Sequence, residues 1–391
     1  MGKILIVTPT LRTGGGVIRG LQNMLALLPK EKYEIDVLSM GYSDNNNVSL
    51  SNCNILDDNF ILTSLTAVFD QTTNYKHRHK LIFSKVLLSF SNKLGKRAKF
   101  ENWLFKYSAK KYQNYDKVIA YQEGLCTRFV QYINSPNKIA WIHCDYSERK
   151  KHILYSEEKI YSKFQHIICV SKFTLENFVK IYPSLSERSL HIYNILDKKY
   201  IREKALLTED FSQNKNNSVQ IVSIGRVDPV KQFHLIPKII SQMIKLGANN
   251  FKWILIGNIE DKNTYNHIEK ELLKYNIDNS YFVFLGPKFN PYPYINNSDI
   301  LVSTSSSEAC PYVVNEARVL GIPVVSNNYP SIYEFITDGV NGRICTIETM
   351  AQVLANLILN KEELSNLKHG AKLNEYDNKP ILDKIDILLN L

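Results

Sequence analysis

The sequence predicts an α/β protein built from two open parallel sheets, each covered by helices. Three observations carry this. The 391 residues exceed one ordinary core and fit two domains of roughly 150–200 residues each. Residues 299–326 read as strand, loop, helix and strand, the crossover unit of a parallel sheet. Residues 3–28 open with the same grammar: an apolar strand, a glycine-rich turn and a helix.

Composition narrows the class. Hydrophobic content of 44% with 22% charged residues is that of a globular chain, not a disordered one. The six cysteines (53, 126, 144, 169, 310 and 345) form no Cys-x-x-Cys pair or zinc spacing, which fits unpaired thiols in a reducing cytosol. The first apolar run is too short for a signal peptide, and Ile6 spoils a myristoylation pattern. No run nears the ~18 apolar residues that span a bilayer. A cytoplasmic protein, or one lying on a membrane, is expected.

In chain order, a strand at 3–8 leads into Gly14, Gly15 and Gly16 and a helix at 17–28. Glycines there let backbone approach a ligand closely, so Gly15 and Gly16 are binding candidates. The turn is not a dinucleotide fingerprint, because Arg19 stands where a third glycine is needed. Residues 33–40 form a second strand, and the Asn/Ser-rich 41–58 an irregular excursion. Strands follow at 116–121, 138–143 and 165–171. His143 closes its strand at the carboxyl end, and Ser171 caps a helix. Residues 191–197 run from strand to hinge, and the polar 208–218 reads as a linker.

The second domain begins with a strand at 219–225 that ends at Arg226, with Lys231 five residues on, ahead of a helix from about Leu235. Two cations in one strand-to-helix loop suit a diphosphate whose charge grows as a bond to it breaks. Further strands lie at 251–257 and 281–286. In the central unit, Val313, Ala317 and Leu320 fall at helical spacing. Glu308 lies in the loop at a strand's carboxyl end, where open α/β sheets bind ligands, and Glu316 one to two turns into the helix. Amides at the helix start, near Pro311, Tyr312 and Val313, would face an anion. Carboxylates accepting from hydroxyls, with amides holding phosphate, suit a sugar nucleotide. No Asp-x-Asp occurs, so metal-mediated diphosphate binding has no motif. Residues 339–342 read as a turn, 350–367 as one helix and 380–391 as a terminal helix.

The net charge is +10, and residues 76–111 hold eleven basic residues against Glu101, the whole excess. Lys93, Lys96, Arg97, Lys99 and Lys106 are interleaved there with Trp103 and other apolar residues. This describes an amphipathic segment for an anionic membrane surface. A solvated helix pair with its apolar side in the core stays open, and no nucleic-acid reader fold is apparent.

Glu308 and Glu316 with the following Ala317, Gly321 and Pro323, and Gly225, Arg226 and Lys231 upstream in the same order, resemble the retaining glycosyltransferases of family 4. The resemblance covers nearly the whole chain, most specifically 221–344. It implies the GT-B fold, two Rossmann-like domains facing across a cleft: 1–205 on the acceptor side, 206–375 for the nucleotide sugar, and 376–391 crossing back to the first domain. It assigns Glu308 to the donor sugar, Glu316 to the ribose, and Arg226 and Lys231 to the leaving diphosphate. Asn258 and Pro287 would border the base, and His143, Gly15 and Gly16 would complete the cleft. It further implies a hexosyl donor, commonly a UDP-sugar, front-face attack with retention, and no cofactor or metal. The acceptor would be a glycan or lipid-linked glycan of bacterial lipopolysaccharide or capsule, at the cytoplasmic face of the inner membrane. The chain departs from the family at Ile195, where glycine is usual, and at Ala309, Cys310 and Pro311, which leaves the donor sugar open. A GT-B epimerase or phosphorylase, and a non-catalytic nucleotide-sugar-binding scaffold, are the competing readings.

Overall fold

The computed structural model describes residues 2–11, 15–40, 50–56, 97–148, 157–207 and 218–390. Contacts divide the chain into two units, Met1–Ile195 with Ile381–Leu391, and Leu196–Pro380.

The first unit holds one parallel sheet of β1 (Gly2–Thr8), β2 (Tyr33–Ser39), β3 (Asn54–Leu56), β4 (Lys117–Ala120), β5 (Asn137–Ile142), β6 (His166–Cys169) and β7 (Ser189–His191), in the order β3-β2-β1-β4-β5-β6-β7. Its helices include α1 (Gly16–Leu27), α2 (Arg97–Ala109), α3 (Leu125–Val130) and α4 (Lys172–Ile181). With both faces covered, a central strand reads as an unbroken apolar run, and Ile4, Leu5, Ile6 and Val7 are all buried. Ser171 caps α4 as expected: its Oγ accepts from the Thr174 amide at 3.1 Å, and the Thr174 hydroxyl accepts from the Ser171 amide at 3.0 Å. The C-terminal helix (Lys379–Asn390) buries Ile381, Ile385, Leu388 and Leu389, and its Asp386 pairs with Lys32.

The second unit has its own parallel sheet, β8 (Val219–Ile224), β9 (Phe251–Ile256), β10 (Phe282–Phe284), β11 (Ile300–Ser303), β12 (Val324–Asn327) and β13 (Gly342–Cys345), ordered β10-β9-β8-β11-β12-β13. Around it lie α5 (Lys198–Ala205), α6 (Ile236–Lys245), α7 (Lys262–Lys274), α8 (Tyr292–Asn296), α9 (Tyr312–Val319), α10 (Ile347–Leu359) and α11 (Lys361–Leu373). Trp253 is wholly buried in its core and donates to Ser223 Oγ at 3.1 Å, which donates to the Val302 carbonyl at 2.7 Å.

Several expectations are corrected. The second unit begins at Leu196, ten residues earlier than position 206. The reason is α5, which packs on α8 and α9, and whose Lys198 and Arg202 both hold Glu375, at 2.9 and 2.6 Å. The polar stretch read as a linker therefore falls inside that unit's span, and residues 208–217 lie outside the described residues. The helix expected at 350–367 is two, because Asn360 breaks it and accepts from the Glu363 amide at 3.2 Å to start α11. Strands β3 and β13 were not foreseen. No disulfide joins the six cysteines. Among the described residues no helix is long and apolar enough to cross a membrane.

Two glycines set the spacing of the second sheet's carboxyl edge. A Cβ on Gly257 would fall 1.6 Å from the Gly225 carbonyl oxygen. Gly257→Ala is accordingly expected to cost about 3 kcal/mol and to lower the melting midpoint by roughly 6–12 °C. An unchanged melting curve would show that the two strand ends spread without cost.

Candidate active site

Strand order reverses between β8 and β11, and the loops that leave those two strands open a crevice at the carboxyl edge of the second sheet. Arg226 and Lys231 stand in the first loop and Glu308 in the second. The structure brings Lys231 and Glu308 into direct contact: the ammonium pairs with Glu308 Oε1, and both side chains are over four-fifths shielded from solvent. Ser305 Oγ donates to the same carboxylate oxygen at 2.7 Å.

Backbone fixes this trio. The Lys231 amide donates to Asp228 Oδ1 at 3.0 Å, and the Lys231 carbonyl accepts from Thr304 Oγ1 at 2.6 Å. The Ser306 amide reaches the Val230 carbonyl at 2.9 Å, and Ser331 Oγ the Glu308 carbonyl at 2.6 Å. The lysine stem runs across Gly225, where an added Cβ would come within 3.2 Å of Lys231 Cε. Arg226 lies further out, 58% exposed, with one guanidinium nitrogen 3.3 Å from Asp228.

The other expected residues are placed less uniformly. Helix α9 begins at Tyr312 with Pro311 as its N-cap, and no side chain caps its first amides. Tyr312 and Val313 are half-buried. Glu316 is completely buried, and Tyr292 donates to its Oε1 at 3.2 Å. Asn258 exposes its side chain while its carbonyl accepts from the Val227 amide at 2.8 Å. Pro287 is exposed in the loop after β10, two residues before the equally open Phe289.

In the first sheet the order reverses between β1 and β4. Gly15 and Gly16 follow β1 and are exposed; a Cβ on Gly15 would meet nothing within 4 Å, so packing does not require glycine there. Gly14 lies outside the described residues. His143 follows β5, its ring 5.1 Å from that of Tyr121, and its amide donates to Glu123 Oε2 at 2.9 Å. The residue is half-buried, but its Nε2 is shut away from water with no hydrogen-bond partner among the described residues. Burial lowers its pKa to about 4, against the opposing pull of Glu123 and a hydrogen bond to the Tyr121 backbone. The imidazole is therefore neutral at neutral pH.

Of the basic segment, Lys93 and Lys96 lie outside the described residues and Arg97 begins α2. Phe105, Ser108 and Ala109 turn α2 into the core, while Trp103 and Tyr107 are more than half exposed beside the exposed Lys99 and Lys106. Phe100, Trp103 and Tyr107 form a row with ring centroids 5.8 and 6.0 Å apart. The helix thus has both faces the sequence left open.

Sequence reasoning missed Ser305, Asp228, Tyr292 and Glu123. The signals were present but short: Asp228-Pro before a cation, three serines before Glu308, and Glu123 before Gly124, whose φ of 82° marks a turn only glycine makes easily.

Residues 208–377 match the family model for glycosyl transferases group 1. A glycosyltransferase of Methanocaldococcus jannaschii is 26% identical over 214 residues, 52% of this chain and 51% of that protein. The capsular polysaccharide biosynthesis glycosyltransferase CapM of Staphylococcus aureus is 21% identical over 237 residues, 59% of this chain and 60% of its own. The chain thus spans about half to three-fifths of these relatives' length. Among solved structures, Anabaena HepE in complex with UDP and glucose superposes with a TM-score of 0.75 at 15% identity, covering 100% of both chains. That likeness shows the fold, the two Rossmann-like domains of GT-B glycosyltransferase structures.

A histidine whose pKa falls on folding binds fewer protons in the native than in the unfolded state between about pH 6.5 and 4. Stability therefore declines as pH drops through that window, by at most about 3 kcal/mol from this group. Unfolding measured against pH should show this decline flattened in His143→Gln. Parallel profiles for the two proteins would remove His143 as its source.

Proposed function

We propose that the chain is a retaining glycosyltransferase of family 4, moving a hexosyl group from a UDP-sugar to a hydroxyl of a glycan or lipid-linked glycan in bacterial surface-polysaccharide assembly. The observation that carries this reading is the meeting of Lys231, Glu308 and Ser305 at the switch point of the second sheet, with Arg226 in the same loop as Lys231. The group 1 match over that domain, the role in CapM's name and the UDP and glucose held by HepE support it.

In this reading the bond from the anomeric carbon to the diphosphate breaks, a bond to the acceptor oxygen forms on the same face, and the acceptor's proton passes to the departing diphosphate. Charge left on the diphosphate falls to Arg226, Lys231 and the amides of Tyr312 and Val313, without a metal ion. Lys231 exchanges Glu308 for phosphate oxygens, and Glu308 then accepts from sugar hydroxyls. Glu316 is assigned to the ribose, and Asn258 and Pro287 to the base. In the first unit, His143, Gly15 and Gly16 are assigned to substrate contacts, a neutral imidazole nitrogen serving as an acceptor for a hydroxyl.

Thermal melting in EDTA with UDP, GDP and their sugars tests the donor. A ligand at 100 times its Kd adds about 2.7 kcal/mol. The expected outcome is a selective rise with UDP-sugars that Arg226→Ala diminishes, and about a 100-fold slower sugar transfer in that variant. No response to any nucleotide would sink the transferase reading. Turnover that needs free phosphate, or that changes the donor without an acceptor, would favour the phosphorylase or epimerase instead.

The outer face of α2 is assigned to an anionic membrane surface, because aromatic rings beside lysines suit the headgroup layer. The protein should float with phosphatidylglycerol vesicles at low salt, and the double change Trp103→Ser, Lys106→Glu should release it. Equal binding to phosphatidylcholine would refute the electrostatic part of this assignment.

A further inference from the structure

A completely buried carboxylate is costly unless donors hold it, and Glu316 is both buried and assigned to a ligand. One donor to it is the phenol of Tyr292, itself 6% exposed, which reaches Glu316 Oε1 at 3.2 Å. That phenol is firmly mounted. Pro291 and Pro293 flank it and restrict the backbone at the start of α8. The Tyr292 amide donates to Asn290 Oδ1 at 3.3 Å, and Asn290 in turn donates to the Lys204 carbonyl of α5 at 2.9 Å. The edge of Tyr200, also on α5, meets the Tyr292 ring at 6.3 Å and 89°. A side chain whose ring, backbone and anchor are all fixed presents its hydroxyl in one direction, and that direction is Glu316.

We infer that Tyr292 is the positioning residue of Glu316, its phenol setting the orientation in which this carboxylate meets the ribose of the nucleotide. The inference rests on the nucleotide-sugar reading above. The hydroxyl does not itself react; it gives the buried carboxylate one fixed hydrogen bond, so that ribose hydroxyls find an acceptor already oriented.

The test is calorimetric titration of UDP and of GDP into wild type, Tyr292→Phe, Glu316→Gln and the double variant. Tyr292→Phe keeps the ring and its packing on Tyr200 and removes only the hydroxyl. It should weaken the preferred nucleotide about tenfold, the loss expected for a hydrogen bond to a charged group. In the Glu316→Gln background the same change should lose clearly less than tenfold, because the amide oxygen accepts only a neutral hydrogen bond in place of the charged one. Tyr292→Phe binding as wild type does, or losing the same tenfold with Glu316 already changed, overturns the inference. A wild type that binds neither nucleotide overturns the functional reading itself, which separates the two failures.

Discussion

The second unit depends on one topological constraint, the reversal of strand order between β8 and β11. Loops from adjacent parallel strands normally follow the crossovers to one side, but at a reversal they part, and a crevice is left at the carboxyl edge. Lys231 and Glu308, 77 residues apart in sequence, meet only because of it. Their pair is largely shielded, so removing either partner strands the other charge, at about 3–5 kcal/mol. An arriving diphosphate meets this penalty differently. In the proposed function it supplies the lysine with another anion as the carboxylate turns to sugar hydroxyls, so neither charge is left alone. The pair is a resting state that a sugar nucleotide of the proposed class can replace group for group.

The carboxylates near this edge are held by hydroxyls of different kinds. Ser305 serves Glu308 from three residues away, through a short side chain on the same loop. Tyr292 serves Glu316 from another element altogether. The Tyr329 phenol is buried close to Glu308, and burial together with that charge pushes its pKa well above the ordinary range, so it stays neutral there. Ser305 and Tyr292 are neutral donors that orient the two carboxylates, and Glu308 is also paired with a cation, Lys231. Arg226 and Lys231 both lie in the loop after β8.

The parts legible in the sequence share a local cause. Buried parallel strands are apolar runs, so β1, β8 and β9 could be read directly, and Ser171 with Thr174 announced its cap. Strand β3 could not be read so, because its three residues sit among asparagines and serines and pair only along the edge of β2. The break at Asn360 hid inside a continuous helical pattern, since asparagine both tolerates a helix and caps the next one. In the candidate site, Arg226, Lys231 and Glu308 were visible as charged residues just past strand ends, and Glu316 by its place in the following helix. Their partners were not, because Asp228, Ser305 and Tyr292 act through contacts that only the folded chain defines. The domain boundary slipped for a similar reason: α5 looks like a continuation of the first domain until Glu375, some 170 residues on, binds it.

The two sheets repeat one plan with opposite electrostatics, and this bears on which substrate each could serve. Each reverses strand order at its first strand, and each places a carboxylate, Glu123 or Glu308, in the loop of the strand across that reversal. In the second sheet a lysine answers the carboxylate and an arginine extends the positive charge outward, an environment for a diphosphate. In the first, the carboxylate is answered by the backbone amide of His143, whose ring is neutral and presents a nitrogen shielded from water. A cation there would attract the phosphates as well and compete for the donor. In the proposed function an uncharged imidazole at this edge suits hydroxyl groups, which sugars offer and diphosphates lack. In the proposed function the same fold element serves an anion in the second sheet, where a lysine answers the carboxylate, and an alcohol in the first, where a backbone amide does.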